Sequence, residues 1–283
     1  MMETIYRKIL VPTDGSESTN GAIGYAIDLA RQTGAEITAL SVKDITNYAT
    51  IPGEPDVESP LYQVCEAAVR GVVQAAAEQG VRAEGMVVSG IPKRDIVEVS
   101  MEHDLVVMGT AGRTGVPHLL LGSVADKVIR HARSPVIVVR AGGASSFKCE
   151  RVLIATDGSD SSAPAISHGL KLAKAFGADV TALSVSDTGG GMVGSAEDRA
   201  RMADAAVNGV AEEGRRLGVT VEPQVIAGSP ADVIVEMSGQ HDLLVMGTHG
   251  RSGLAHFRLG SVAEKAIRNA RCPVMVVKAG LNA

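Results

Sequence analysis

Residues 104–124 read DLVVMGTAGRTGVPHLLLGSV, and residues 242–262 read DLLVMGTHGRSGLAHFRLGSV. Each is an apolar run, Leu105 to Met108 or Leu243 to Met246, then a glycine-rich turn, then a helical pattern, Val124 to Ala132 or Val262 to Ala270. The glycines recur at one spacing, Gly109-x2-Gly112-x9-Gly122-Ser123 and Gly247-x2-Gly250-x9-Gly260-Ser261. A turn of this kind between a buried strand and a helix start suits a phosphate. Glycine lets a ligand approach the backbone, and the first N–H groups of a helix have no intrahelical partner. The spacing is neither a Walker A loop, since no Gly-Lys-Ser/Thr follows, nor the dinucleotide G-x-G-x-x-G. Arg113 and Arg251, just past the second glycine, could reach phosphate oxygens. Ser123 and Ser261, at the helix start, could bind phosphate or merely cap the helix. On spacing alone, a phosphate cradle and a structural tight turn both remain open.

Working outward, the whole chain is two copies of one unit. Lys8 to Val42 aligns without gaps to Arg151 to Val185 at an offset of 143, and after residue 90 the match resumes at an offset of 138. The first copy therefore carries five extra residues, placed in the Pro-, Gly- and Thr-rich segment Asp44 to Pro60, whose counterpart is Asp187 to Gly194. Both segments read as loops, candidates for lids or simple connectors. The copies are joined by Ala141 to Lys148, AGGASSFK, a small-residue linker, which gives domains of 1–141 and 149–283.

Within a copy, strands and helices alternate. The pattern predicts strands at Lys8 to Val11, Glu36 to Val42, Val81 to Val88, Leu105 to Met108 and Val136 to Val139. It predicts helices at Ser18 to Gln32, Leu61 to Gln79, Pro92 to Met101 and Ser123 to Ala132. Asp14, Ser16 and Ser18 are all candidate N-caps for the first helix. Apolar strands separated by helices indicate an α/β fold with a parallel sheet covered on both faces. Such sheets bind ligands beyond the carboxyl ends of their strands. Asp14 and the Gly109 loop both fall at carboxyl ends, as do Asp157 and the Gly247 loop, so each pair could face one crevice.

Asp14 and Asp157 open TDGS turns. Either carboxylate could contact a ribose hydroxyl or a phosphate-bound metal, or form an Asx turn of the kind common for Asp-Gly. His118 and His256 lie inside the nine-residue spacers, where either could stabilise phosphate charge or relay a proton, and the surface reading is the favoured one. His103 and His241 precede Asp104 and Asp242 at strand starts, the wrong end for the site, and read as structural. His249 stands where the first copy has Ala111, so it has no role common to both. Met108 and Met246 read as core, though they border the loop. No Ser/His/Asp order, carboxylate pair or Cys/His cluster points to ester, glycoside or peptide hydrolysis.

Composition narrows the classes. Of 283 residues, 45% are hydrophobic and 21% charged, as in a soluble globular protein, and the formal net charge is −5. That balance argues against nucleic acid and anionic membrane as partners, and 2% aromatics removes a base-stacking platform. The three cysteines, Cys65, Cys149 and Cys272, form no metal-ligand pair and fit reduced thiols in a cytoplasmic protein. No apolar run approaches the roughly 20 residues of a membrane span.

At this point the chain resembles the universal stress protein family in its tandem form, over nearly its whole length. The likeness rests on the openings ILVPTDGSE and VLIATDGSD, on the strand ending ALSV, and above all on G-x2-G-x9-G-S in both copies. The resemblance implies two Rossmann-like domains, each a five-stranded parallel sheet of order 3-2-1-4-5 with helices on both faces. It implies ATP, or AMP or ADP, as ligand, with Mg2+ or Mn2+ on the phosphates. By position, Pro12, Thr13 and Asp14 would line the adenosine side, and Val42 would meet adenine. Met108 and Gly109 would sit near the ribose, and Gly112, Arg113, Gly122, Ser123 and Val124 would hold phosphates. The second copy supplies Thr156, Asp157, Val185, Met246, Gly247, Gly250, Arg251, Gly260, Ser261 and Val262. Ala155 replaces the proline at position 12, which implies a looser second turn. The family also pairs through its last strands, which implies an intrachain pseudo-dimer and allows a homodimer of chains. The function implied is a cytosolic, nucleotide-dependent stress-response regulator with at most slow ATP hydrolysis. The alternative is a nucleotide-free dimeric interaction scaffold of the same fold.

Overall fold

The computed structural model describes residues 5–46, 60–110, 112, 121–187, 195–250 and 259–281. The chain divides into two compact units, one ending at Phe147 and the other starting at Lys148. The first contains β1 (Lys8–Pro12), α1 (Asn20–Thr33), β2 (Glu36–Asp44), α2 (Pro60–Glu78), β3 (Ala83–Gly90), α3 (Pro92–Val99), β4 (Leu105–Gly109), α4 (Ser123–His131) and β5 (Val136–Val139). The second repeats the series as β6 (Arg151–Ala155), α5 (Ala163–Phe176), β7 (Asp179–Asp187), α6 (Ala196–Leu217), β8 (Val221–Gly228), α7 (Pro230–Met237), β9 (Leu243–Gly247), α8 (Ser261–Asn269) and β10 (Val274–Val277). Strand order is β3-β2-β1-β4-β5 in the first and β8-β7-β6-β9-β10 in the second. Every pairing within a unit is parallel. The expected α/β class and 3-2-1-4-5 order are therefore met in both copies.

The burial pattern explains the sequence pattern. Ile9, Leu10 and Val11 are completely buried, as are Leu105, Val106 and Val107. Central parallel strands lie between two helical layers, so they read as continuous apolar runs rather than alternation. The edge strands β3 and β8 are mostly exposed or half-buried and carry the polar residues. On α1 the buried Ala22, Tyr25, Ala26, Leu29 and Ala30 form one stripe at helical spacing. The helix ends at Gly34, whose φ of +74° suits the left-handed cap that glycine takes without strain.

The amino ends of the sheets are fastened by the His-Asp pairs. Asp104 Oδ2 accepts hydrogen bonds from the Arg7 and Lys8 amides at 2.8 and 3.0 Å. Asp242 Oδ2 accepts from the Glu150 and Arg151 amides at 3.1 and 2.9 Å. His103 Nδ1 lies 2.8 Å from the Val99 carbonyl and His241 Nδ1 lies 2.8 Å from that of Met237. A carbonyl only accepts, so both Nδ1 atoms carry the proton. The structural reading of these histidines holds.

The segment joining the copies is not slack. Phe147 is buried and meets Tyr25 of α1 edge-on, with ring centroids 5.4 Å apart at 83°. The Phe147 amide donates to Asp28 Oδ2 at 3.1 Å, and Gln32 Nε2 donates to the Phe147 carbonyl at 3.4 Å. Small residues let this strap lie flat on the helix; they do not make it a free tether.

Candidate functional site

The strand order reverses between β1 and β4, and both strands end at the same side of the sheet. That places the TDGS turn opposite the glycine loop. The turn is held by its own side chains. Thr13 N donates to the Leu40 carbonyl at 2.8 Å, and Gly15 N donates to Thr13 Oγ1 at 3.1 Å. Asp14 Oδ1 accepts from both the amide (3.0 Å) and the hydroxyl (2.6 Å) of Ser16. Gly15 supplies a φ of +76° that a side chain would resist. Thr19 Oγ1 then donates to the Ser16 carbonyl at 2.8 Å, tying the turn to the start of α1. The second copy repeats each bond. Thr156 N reaches the Leu183 carbonyl at 2.9 Å, and Asp157 Oδ1 accepts from Ser159 N and Oγ at 3.0 and 2.6 Å. Ser162 takes the place of Thr19 and donates to the Ser159 carbonyl at 2.7 Å.

These bonds correct two sequence expectations. Asp14, Ser16 and Ser18 do not cap α1 with their side chains. Its N-cap is Thr19, which makes no side-chain cap bond, because Asp14 and Ser16 are committed to the Asx turn. Nor does Ala155 loosen the second turn. Its bonds match those of the first because Thr, Asp and Ser hold the backbone, not the proline ring.

The Asx turn and a place in the crevice are not exclusive. With Oδ1 held by Ser16, Asp14 turns Oδ2 toward Gly112. A Cβ built on Gly112 would stand 2.5 Å from Asp14 Oδ2, and one on Gly250 would stand 2.7 Å from Asp157 Oδ2. The second glycine of the loop thus lies against the carboxylate in both copies.

The other end of the loop closes on the strand. Gly122 N donates to the Thr110 carbonyl at 2.8 Å, and Gly260 N donates to that of Thr248 at 3.0 Å. A Cβ on Gly260 would come within 3.2 Å of the same carbonyl, tighter than ordinary packing allows. Gly122 and Gly260 are the N-caps of α4 and α8, and neither helix receives a side-chain cap. Ser123 and Ser261 sit one place further on, at the first helical position, and are exposed. Val124 and Val262 follow in the same first turn. Among the described residues no N-cap side chain occupies the first amides of these helices, the arrangement that accommodates an anion. Met108 and Met246 are buried near the carboxyl ends of β4 and β9. Pro12 and Thr13 are buried at the end of β1, and Val42 lies two residues beyond Leu40 on β2, with Val185 in the same place on β7.

Arg113, Arg251, His118, His256 and Ala111 lie outside the described residues, as do residues 47–59 and 188–194 of the two long loops. Sequence reasoning missed Ser16, Ser159, Thr110 and Thr248 as parts of the site. The signal was the identity of TDGS and GT in both copies. His249, unmatched in the first copy, is held by Thr248 Oγ1 at 2.9 Å from its Nδ1, and its carbonyl accepts from Ser161 Oγ at 3.2 Å. Among the described residues, no group of three or more His, Cys, Asp or Glu is gathered as a metal site. A cavity of about 400 Å³ lies away from the crevice, lined by Glu84, Asp95, Glu98 and Glu102 among others. Its carboxylates make it unsuited to a phosphate.

Comparison with known proteins bears on the family and the fold. The profile of the universal stress protein family matches residues 5–140 and again 148–278. A universal stress protein of Methanocaldococcus jannaschii is 38% identical over 143 residues, covering 49% of this chain and 84% of that protein. One from Mycolicibacterium smegmatis is 28% identical over 283 residues, covering 95% of this chain and 96% of the relative. The crystal structure of a universal stress protein from Archaeoglobus fulgidus superposes with a TM-score of 0.78 at 25% identity, covering 96% of this chain and 98% of that one.

Proposed function

The chain belongs to the universal stress protein family, and from that premise we propose that each unit binds one adenine nucleotide, ATP in the first place, at the carboxyl ends of its central strands. The reading makes the protein a cytosolic, nucleotide-dependent regulator of a stress response. The observation that carries it is the glycine-capped start of α4 and α8, set across from Asp14 and Asp157. Phosphates would rest on the first-turn amides of Ser123 and Val124, or of Ser261 and Val262. Oδ2 of Asp14 or Asp157 would face the space between the sugar and the phosphates. Glycine at 112 and 250 keeps the crevice open, since any Cβ there would meet that carboxylate.

The donor set suits a metal that arrives with the nucleotide rather than a resident one. Mg2+ keeps several waters and takes one or two carboxylates plus phosphate oxygens, and among the described residues each crevice offers one aspartate. Asp14 or Asp157 would hold it, and it would neutralise phosphate charge. Hydrolysis, where it occurs, would be slow, because the described carboxylate nearest the phosphates, Asp14 or Asp157, has one oxygen tied to Ser16 or Ser159.

Mass analysis of nucleotide released from denatured protein gives identity and stoichiometry together. Two adenine nucleotides per chain are expected. Gly112→Val and Gly250→Val should each remove one of them and leave the other. Protein that carries none, and takes up none at millimolar ATP, would leave the nucleotide-free scaffold as the better reading. Assembly of whole chains into a homodimer is part of the same proposal, and a mass measurement in solution decides it.

A further inference from the structure

The two crevices have matching walls but different supports, and the difference lies in the strap. Thr19 makes the TDGS turn and the start of α1 one hydrogen-bonded body: its hydroxyl lies 3.1 Å from Thr13 Oγ1, and its amide and hydroxyl both reach the Ser16 carbonyl. Just beyond, α1 turns one face to the strap. A Cβ on Gly21 would lie 3.5 Å from the Ala144 carbonyl oxygen, and one on Gly24 would lie 2.5 Å from that of Ser145. Tyr25, Asp28 and Gln32 continue the same face and hold Phe147. The strap leaves the sheet at Arg140, directly after Val139, whose carbonyl accepts from the Thr110 amide at 3.2 Å. It thus starts beside one wall of the first crevice and crosses the helix that carries the other wall. The second copy has Pro164, Ser167 and His168 where the first has Gly21, Gly24 and Tyr25, so the glycine seat is not repeated.

We propose that the strap over 140–147 is a positioning element for the first nucleotide site alone, setting the Asp14 turn against the glycine loop through its contacts at Gly24 and Phe147. The proposal rests on the nucleotide reading for its ligand, but its structural half can be tested without one. Gly24→Ala is the decisive variant. Its methyl meets a backbone oxygen, so the strap must lift, while alanine is the better helix former and leaves α1 intact.

The experiment pairs two readouts on the full chain. ATP affinity is measured by calorimetry with the second site closed by Gly250→Val, and again with the first closed by Gly112→Val. Gly24→Ala should weaken ATP about tenfold in the first background and leave the second unchanged. In ligand-free protein, amide exchange at Gly15, Ser16 and Thr19 should quicken, and that at Gly158, Ser159 and Ser162 should not. Phe147→Leu, which keeps an apolar side chain but loses the ring edge, should shift both readouts in the same direction by less. Unchanged exchange in Gly24→Ala overturns the proposal whether or not nucleotide binds. Equal losses at both sites overturn it too, because they report general loosening. Absence of any ATP binding by the unaltered chain defeats the nucleotide reading and leaves the exchange result to decide the strap.

Discussion

His168 stands on α5 where Tyr25 stands on α1, and the exchange of a phenol for an imidazole carries a cost in acid. Burial, helped by the Lys171 charge, pushes its pKa down to about 4. The unfolded chain takes up that proton near pH 6.5. Between those values the unfolded state binds more protons than the folded one, so stability falls as pH drops from 6.5 toward 4. The loss is at most about 3.5 kcal/mol. His168→Tyr should flatten this part of the profile, which urea midpoints at pH 4.5, 5.5 and 7 would read; an unchanged slope would show the ring titrates normally. Cys149 and Cys272 behave in the opposite sense. Burial is the first cause in each, and both thiols are pushed up to about 12. At pH 8 only about one in ten thousand is thiolate, so labelling by a disulfide reagent should be slow until urea unfolds the chain. The residue scale was the least legible in sequence. That Asp14 serves an Asx turn with one oxygen and faces Gly112 with the other follows from a rotamer that Ser16 selects, which no spacing rule contains.

Elements were far more legible, because their cause is periodic. The buried runs of β4 and β9 and the apolar stripe of α1 are set by which faces must leave water, and spacing shows that directly. Boundaries moved by one or two residues where backbone bonds, not side chains, decide. Helix α3 passes into a 3-10 turn at Ser100–Glu102, and β2 runs on to Asp44 because β3 pairs with it to Gly90. Caps were misjudged for a different reason. Sequence favours Ser or Asp at an N-cap, whereas α4 and α8 both have glycine there, and at Gly260 a side chain would press on the Thr248 carbonyl. The grip of Asp104 on the start of β1 is a prediction at this scale. Asp104→Ala hands two exposed backbone amides to water and should cost about 1 kcal/mol in urea denaturation. Asp242→Ala should cost the second unit a similar amount. Neither variant should alter nucleotide affinity, since both lie at the amino end of the sheet.

At the scale of the molecule, duplication made the fold readable. A motif seen once is weak, but the same glycine spacing, TDGS turn and His-Asp pair at fixed offsets separate constraint from chance. Duplication hid one thing as well. Within AGGASSFK only Ala141 and Gly142 match residues of the second copy, Ala279 and Gly280, so its role as a strap on α1 could not be read from small residues alone. The aspartate grip also bears on how the chain comes off the ribosome. Strand β1 is central to its sheet, yet one of its two neighbours, β4, and the carboxylate that fixes its first amides lie about a hundred residues later in synthesis. Until Asp104 emerges, β1 can pair with β2 but keeps an open edge toward any other nascent strand. Such delayed, non-local closure is slow and exposes apolar surface. A chain with two such sheets meets that interval twice, once for β1 and again for β6, so a chaperone that shelters partly made chains would find two separate windows in which to act.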